Sequence, residues 1–568
     1  MLRYLRTAGT IVLLGVTILA GESTAQEGRS QGRSVVASRY GIVAAESPLA
    51  AQAGATILER GGAAVDAAVA ANAVMGLVAP QSDGIGGDLF AIVYEARTGK
   101  LYGLNASGWA PAGMSIESLR AKGIARMPAV GIHSVTVPGA VDGWDKLLSR
   151  FGRMKFSDVL APAIHYAEEG FPVTEWAAAR WIGSAGSLLD DPVAVRTLLP
   201  NGRAPRFGEI FKNPDLAWSM KQIVAEGRKG FYEGEMARRI VKKSDDLGGA
   251  MTLADLAEFS SEWVEPISTT YRGWSVYEIP PNGQGIAALS MLNLMELFPL
   301  GEWGHNSTNA LHAMIEAKKL AYADILRYVA DQRFSDVPVA GILSKEYAKQ
   351  RAQLIDMEKA NCSVSPGKPP HPGSDTIYLS AVDRDGNMVS LIQSVYFEFG
   401  SGLVAEGTGF ILQNRGSLFS LAPGHPNALA GRKRPLHTII PALMSRGNVR
   451  IAFGIMGGWN QSQAHAQFVS NIVDHGMNIQ AALEAARFTK PTFAGCDVYM
   501  ESRIASDVRE ELSRRGHEIE TLGFFSEGVG GGQAVMRDYS TGVNFGASDP
   551  RKDGAAIPEP PTSVTSDK

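Results

Sequence analysis

A Pro-rich connector divides this chain into two differently patterned parts, and that division constrains the fold more than any other feature. Ser363 to Asp375 holds Pro366, Pro369, Pro370 and Pro372 among Gly, Ser and Lys, a composition that suits neither a helix nor a sheet interior. Upstream, residues 141 to 360 read as mostly helical by period, with Phe156 to Glu169 and Leu311 to Asp331 the clearest windows. Downstream, strands alternate. Thr376 to Val382 reads as a strand, Asp383, Arg384, Asp385, Gly386 and Asn387 as a turn, and Met388 to Ser394 as a second strand. The midpoint of 376 and 394 is 385, the centre of that turn. A hairpin in simple register therefore sets Thr376 opposite Ser394, with Cβ atoms roughly 4.5 to 5.5 Å apart.

Two readings of that pair stand side by side. Threonine favours strands, and facing hydroxyls stabilise sheets. Alternatively, the Thr376 hydroxyl attacks the carbonyl before it and splits the chain between Asp375 and Thr376. The α-amine so freed has a pKa near ~7.7 to 8.0 and serves as base for the adjacent hydroxyl.

The N-terminal part supplies the frame. Tyr40 to Ser47 reads as a strand, and Pro48 to Arg60 as a helix stopped by Gly61 and Gly62. Ala63 to Val78 is a helix whose only strongly polar side chains are Asp66 and Asn72, so it belongs in a core. Asp83 to Asp88, with Gly84, Gly86 and Gly87, runs into the strand Leu89 to Tyr94. A dinucleotide fingerprint runs from strand through glycines to helix; here the order is reversed, and the glycines read as close packing or a pocket lining. Pro280 to Gly285 reads as a turn or pocket loop.

Composition narrows the function classes. The 568 residues are 45% hydrophobic and 20% charged, which excludes disorder as the main state. A net charge of −4 without a basic run excludes the footprint of a nucleic-acid partner. With only Cys362 and Cys496 there is no Cys cluster for zinc, and two free buried thiols are expected. None of the ten histidines falls in a metal-binding repeat, so neither metal nor cofactor is expected. Arg3 and Arg6, the apolar run Ile11 to Ala20 and the small residues Ser23 to Ala25 read as a signal peptide over residues 1–25. The protein is then exported, periplasmic or secreted, beginning near Gln26. No stretch reaches the ~20 apolar residues of a stable membrane span. The tail from Ile557 to Lys568 is expected to be disordered.

The chain resembles the gamma-glutamyltranspeptidase family of N-terminal-nucleophile hydrolases from about Tyr40 to Ala556. The matching segments include Gly61 to Asp66, Gly84 to Gly87, Val137 to Trp144, Glu316 to Ala321, Asp375 with Thr376, Asp383 to Asn387, Arg434 to Leu436, Gly457 with Gly458, and Gly546 to Gly554. The resemblance implies an α/β (α+β) fold, a four-layer αββα sandwich. It implies a precursor cut before Thr376 into a large subunit, 26–375, and a small subunit, 376–568, that together form one domain. Thr376 is then nucleophile and, through its α-amine, base; Ser394 is a supporting hydroxyl; the Gly457 and Gly458 N–H groups form the oxyanion hole. The substrate is a small-molecule amide.

The sequence departs from the family where glutamate is gripped. The arginine for the α-carboxylate falls at Ser107, the asparagine after the hairpin at Tyr396, the acidic residue for the α-amine at Leu418, and two adjacent serines at His437 and Thr438. Asn282 to Ile286, Gln393 to Tyr396 and Gln413 to Gly416 look more like the branch of cephalosporin acylases and transpeptidase-like proteins. Arg415 is a new cation, read either as a carboxylate binder or as half of a structural salt bridge. Trp109, Tyr396 and Trp459 are candidates for an aromatic wall, and Trp459 replaces the acidic or small polar residue expected after the glycines. A self-processing amidohydrolase or acylase is the leading expectation. A true gamma-glutamyltransferase and glutathione hydrolase with a rearranged clamp, or a non-catalytic binding protein on the same scaffold, are the alternatives.

Overall fold

The hairpin forms in the register that its turn dictates. In the computed structural model, which describes residues 29, 31–364 and 377–561, Val382 pairs Met388 and Ile377 pairs Gln393, all rungs being symmetrical about residue 385. Asp375 and Thr376 lie outside the described residues, as do segment 1–25 and the end of the tail from 562.

Both hairpin strands are central in a seven-stranded antiparallel sheet. Its order is Ala555–Pro558, Ile42–Ala45, Ile377–Val382, Met388–Ser394, Asp88–Glu95, Lys100–Ala106, Glu262–Val264. A second seven-stranded antiparallel sheet runs Val36–Ser38, Val543–Ser548, Gly532–Asp538, Val449–Ile455, Ala442–Arg446, Trp274–Glu278, Ile267–Tyr271. Segments on both sides of residue 376 contribute to both of these sheets, so neither segment completes either of the two on its own.

The layers follow from side-chain alternation. On the hairpin, Leu379, Ala381, Val389 and Leu391 face the buried helices Pro48–Glu59 and Ala64–Val78. Their neighbours Tyr378, Val382, Met388 and Ile392 meet Ala452 and Val535 of the other sheet. There, Ile451, Phe453 and Ile455 turn the other way, to the helices Gly285–Met295, Thr308–Tyr328 and Gln461–Val473. Strands apolar on both faces must be covered on both faces, and the order helix, sheet, sheet, helix is the solution. This is the expected αββα sandwich. Gly454 allows the sheets to close, since a Cβ at that position would run into the Tyr378 ring. Asp383 then fixes the hairpin to the helix layer: its carboxylate accepts the Ala64 N–H at 3.1 Å and the Asn387 N–H at 2.9 Å.

Three expectations change. The region read as mostly helical contains the strands Glu262–Val264, Ile267–Tyr271 and Trp274–Glu278. They are short, and a helix-length window averages their alternation away. Cys362 and Cys496, expected as free thiols, are disulfide-bonded with Cα atoms 5.0 Å apart. Their separation of 134 residues hides a proximity that only tertiary folding creates. Finally, the tail does not begin as a disordered segment at Ile557. Ile557 and Pro558 pair with Val43 and Ile42, and the buried Glu559 carboxylate accepts the Gly41 N–H at 2.8 Å. No helix of the described residues is long and apolar enough to cross a membrane.

Candidate active site

Asp88 opens the strand beside the hairpin, where it is the cross-strand partner of Ser394, and is fully buried. Burying a carboxylate requires that its oxygens be satisfied. Oδ1 accepts the Gly108 N–H and the Gln413 Nε2–H, both at 2.7 Å, and Oδ2 lies 2.8 Å from His437 Nε2. His437 Nδ1 accepts the Ile439 N–H at 3.3 Å, so the ring proton sits on Nε2 and is donated to Asp88. Burial, reinforced by the nearby Arg415 charge, lowers the His437 pKa to about 4 and keeps the ring neutral.

Arg415 is the buried cation of this group. Its Nη1 donates to Thr438 Oγ1 at 2.7 Å, its guanidinium carbon lies 4.4 Å from the Tyr396 ring centroid, and its Nε stands 4.0 Å from Asp88 Oδ2. Nε and Nη2 have no hydrogen-bond acceptor among the described residues. Burial pushes its pKa down to about 10, against the pull of Asp88. Gln284, from the loop after Pro281, donates to the carbonyls of Thr438 at 2.6 Å and Gly458 at 2.7 Å. A continuous set of neighbours thus runs from Ser394 through Asp88, His437, Arg415 and Thr438 to the glycine pair.

Gly457 and Gly458 occupy the turn between the strand Val449–Ile455 and the helix Gln461–Val473. Their φ angles, 120° and 58°, put both in the region that favours glycine. The turn is closed by Asn460 N–H donating to Gly457 O at 2.9 Å. Neither glycine N–H donates to an acceptor among the described residues, which leaves two adjacent donors at a strand-to-helix turn. Ser394 Oγ accepts the Tyr396 N–H at 2.8 Å, and Tyr396 is itself held at φ 83°. Such a conformation in a bulky residue is sustained only by its surroundings.

The other residues singled out by the sequence are distributed more widely. Ser107 Oγ accepts from Asn282 Nδ2 at 3.1 Å, while the Ser107 carbonyl accepts from Arg434 Nε at 2.9 Å. Leu418 packs in an apolar cluster with Tyr396 and Leu436. Trp459 lines a cavity of about 800 Å³ with Gly457, Asn460 and Phe397, into which Arg180, Glu398 and Lys552 also face. Tyr396 and Leu418 line a second cavity of about 800 Å³, walled by Phe419, Leu421 and Leu436, and Phe397 borders both. Trp109 lines neither of these two cavities; it packs edge-on against Phe259 and directs its indole N–H to Asp255 O at 3.4 Å. Asp88, Gln284, Asn282 and Gln413 were read only within their segments, as a glycine-run end, a pocket loop and acylase-like matches, and not singled out as site residues. Their signal was an acid closing a glycine run and amides set in Gly- and Pro-rich loops.

One group among the described residues has metal-ligand geometry: His312, Glu316 and His517, all buried. Its charge is already balanced, because Lys319 Nζ lies 2.6 Å from Glu316 and the two rings bond each other at 2.9 Å. An added dication would face that ammonium.

The family model described as Gamma-glutamyltranspeptidase matches residues 50–559. The glutathione hydrolase-like YwrD proenzyme of Bacillus subtilis (strain 168) is 38% identical over 530 residues, 92% of this chain and 99% of that protein. The oxamate amidohydrolase proenzyme of Klebsiella pneumoniae subsp. pneumoniae is 34% identical over 533 residues, 91% of this chain and 98% of its own length. The crystal structure of cephalosporin acylase from Bacillus halodurans aligns with a TM-score of 0.87 at 42% identity, covering 95% of this chain and 99% of that one.

Proposed function

Because the chain belongs to the gamma-glutamyltranspeptidase family and is an enzyme of it, we propose that it is a self-processing amidohydrolase for acyl groups that carry one carboxylate and no α-amine. The precursor is cut before Thr376. In turnover the Thr376 hydroxyl attacks the amide carbonyl, the α-amine takes its proton and returns it to the leaving amine, and water releases the acyl-enzyme. Ser394 supports the nucleophile across the hairpin. Gly457 and Gly458 receive the oxyanion; their two adjacent donors, without an acceptor among the described residues, are the feature that supports this role, and loss of one such donor typically lowers kcat by ~10²–10³.

The acyl preference rests on one observation: Arg415 Nε and Nη2 are buried without acceptors among the described residues. Dry guanidinium N–H groups of this kind favour a carboxylate partner. No carboxylate with an unengaged oxygen stands ready for an ammonium in this set, which offers only neutral amide oxygens, those of Gln284 and Gln413. Asp88 is occupied by His437, Gly108 and Gln413, Leu418 is apolar, and Ser107, His437 and Thr438 are engaged with one another's neighbours. Glutaryl-p-nitroanilide and γ-glutamyl-p-nitroanilide differ only in the α-amine and make the test. We expect kcat/KM at least about tenfold higher for the glutaryl compound, and equal or reversed values overturn the assignment. An extracytoplasmic location is part of the proposal; the N-terminal segment and the Cys362–Cys496 disulfide support it, since such bonds persist in oxidising compartments.

A further inference from the structure

Cys362 lies just upstream of the connector, and Cys496 immediately precedes the strand Asp497–Glu501 in a small three-stranded sheet. Their bond is part of a larger seam. Gly495 N–H donates to Cys362 O at 3.2 Å, Ala360 N–H to Arg515 O at 2.7 Å, and Arg515 Nη1 to Met357 O at 2.7 Å. Every one of these contacts joins a residue before position 376 to a residue well after it. We propose that the mature enzyme is a covalent heterodimer, with Cys362–Cys496 as the bond that joins the large subunit to the small one after the chain is cut. The inference rests on the self-processing proposed above, because without the cut the bond is an internal loop closure.

The bond forms when the two thiols give up two protons and two electrons to a donor disulfide, which leaves as two thiols. Its reduction has a preferred direction. Cys496 is buried and its Sγ lies 3.6 Å from Lys319 Nζ, whereas Cys362 is exposed. An incoming thiolate therefore attacks the Cys362 sulfur, forms a mixed disulfide with it, and expels Cys496 as a thiolate beside the Lys319 ammonium. A second external thiolate then frees Cys362. The shared sheets already hold the two segments together in the folded state. The disulfide adds a link that survives unfolding and turns reassociation into an intramolecular event.

Purified protein, trapped with N-ethylmaleimide and denatured, is run on gels with and without dithiothreitol. We expect one band at the mass of the uncut chain without reductant and two unequal bands with it. The Cys362→Ser variant is expected to give two bands in both lanes. Two bands in both lanes for the unmodified protein overturn the link while leaving processing intact. One band in both lanes overturns processing and the subunit link with it. Peptide mass mapping of the unmodified protein keeps the test independent of whether the serine variant folds: a Cys362–Cys496 cross-linked peptide supports the bond, and two alkylated cysteines overturn it. After dilution from urea, the oxidised heterodimer is expected to regain at least about tenfold more activity than the reduced one at nanomolar concentration, and equal recovery overturns the role assigned to the link.

Discussion

Arg415 and Gly457 carry the sharpest consequences at the scale of single residues. Lysine at position 415 keeps a charge but loses the planar fork that offers Nε and Nη2 together, so it cannot replace arginine toward a carboxylate. Arg415→Lys is expected to lower kcat/KM for glutaryl-p-nitroanilide by about 100-fold, mainly through KM, while the chain is still cut; an unchanged KM refutes carboxylate binding there. At Gly457 the φ of 120° excludes a side chain without strain. Gly457→Ala is expected to displace an oxyanion donor and lower kcat by ~10²–10³ for both processing and hydrolysis, as followed by gel and by anilide release. The sequence made these two residues visible in different ways. Adjacent glycines in a family pattern are conspicuous, whereas the state of Arg415 depends on Asp88 and Thr438, which lie far from it along the chain. Asp88 itself was hidden because an acid after glycines reads equally well as a turn residue.

The hairpin is the element on which the proposed nucleophile depends, and its anchor is Asp383. Removing that carboxylate leaves the Ala64 N–H at the start of a fully buried helix and the Asn387 N–H and Nδ2 without their acceptor. Each unsatisfied buried donor costs about 1–3 kcal/mol. Asp383→Ala is accordingly expected to lower the urea midpoint by an amount equivalent to at least about 2 kcal/mol and to leave part of the precursor uncut, because the turn no longer holds the strand against the helix layer. Unaltered stability with complete processing would show that the turn is not an anchor. The register was legible beforehand because a two-residue side-chain period and a centred turn admit one pairing. The strands between Glu262 and Glu278 were not, since each is short and set among helices. The closing strand Ala555–Pro558 was obscured for another reason: a Pro-containing polar tail looks disordered until an open edge, here Ile42–Ala45, supplies its backbone bonds.

The αββα layering buries histidines, and that gives the whole molecule a pH response. Burial lowers the pKa of His437 to about 4 and that of His517 to about 2, and it lowers His312 as well. In the unfolded chain each titrates near ~6.5. Between about pH 6.5 and 4 the unfolded state therefore binds protons that the folded state refuses, and stability falls as pH falls through that window. Six acids act in the opposite sense, Glu278 and Asp83 most strongly and Asp66, Asp145, Asp324 and Asp383 as well. Burial raises each of them, so the folded state keeps protons that the unfolded chain releases. Glu278 faces His465, whose pKa burial lowers to about 3, and that pair largely cancels. Asp83, with the lesser rises at Asp66, Asp145, Asp324 and Asp383, offsets part of what the remaining histidines contribute. The balance leaves stability decreasing toward acid, by up to ~1.4 kcal/mol per pH unit for each uncompensated site. The urea midpoint is expected to be lower at pH 5 than at pH 7, with a shallower slope in His312→Asn, which removes one contribution remote from the proposed chemistry. A midpoint that is flat or rises toward pH 5 would mean that the buried acids, and not the histidines, set the response.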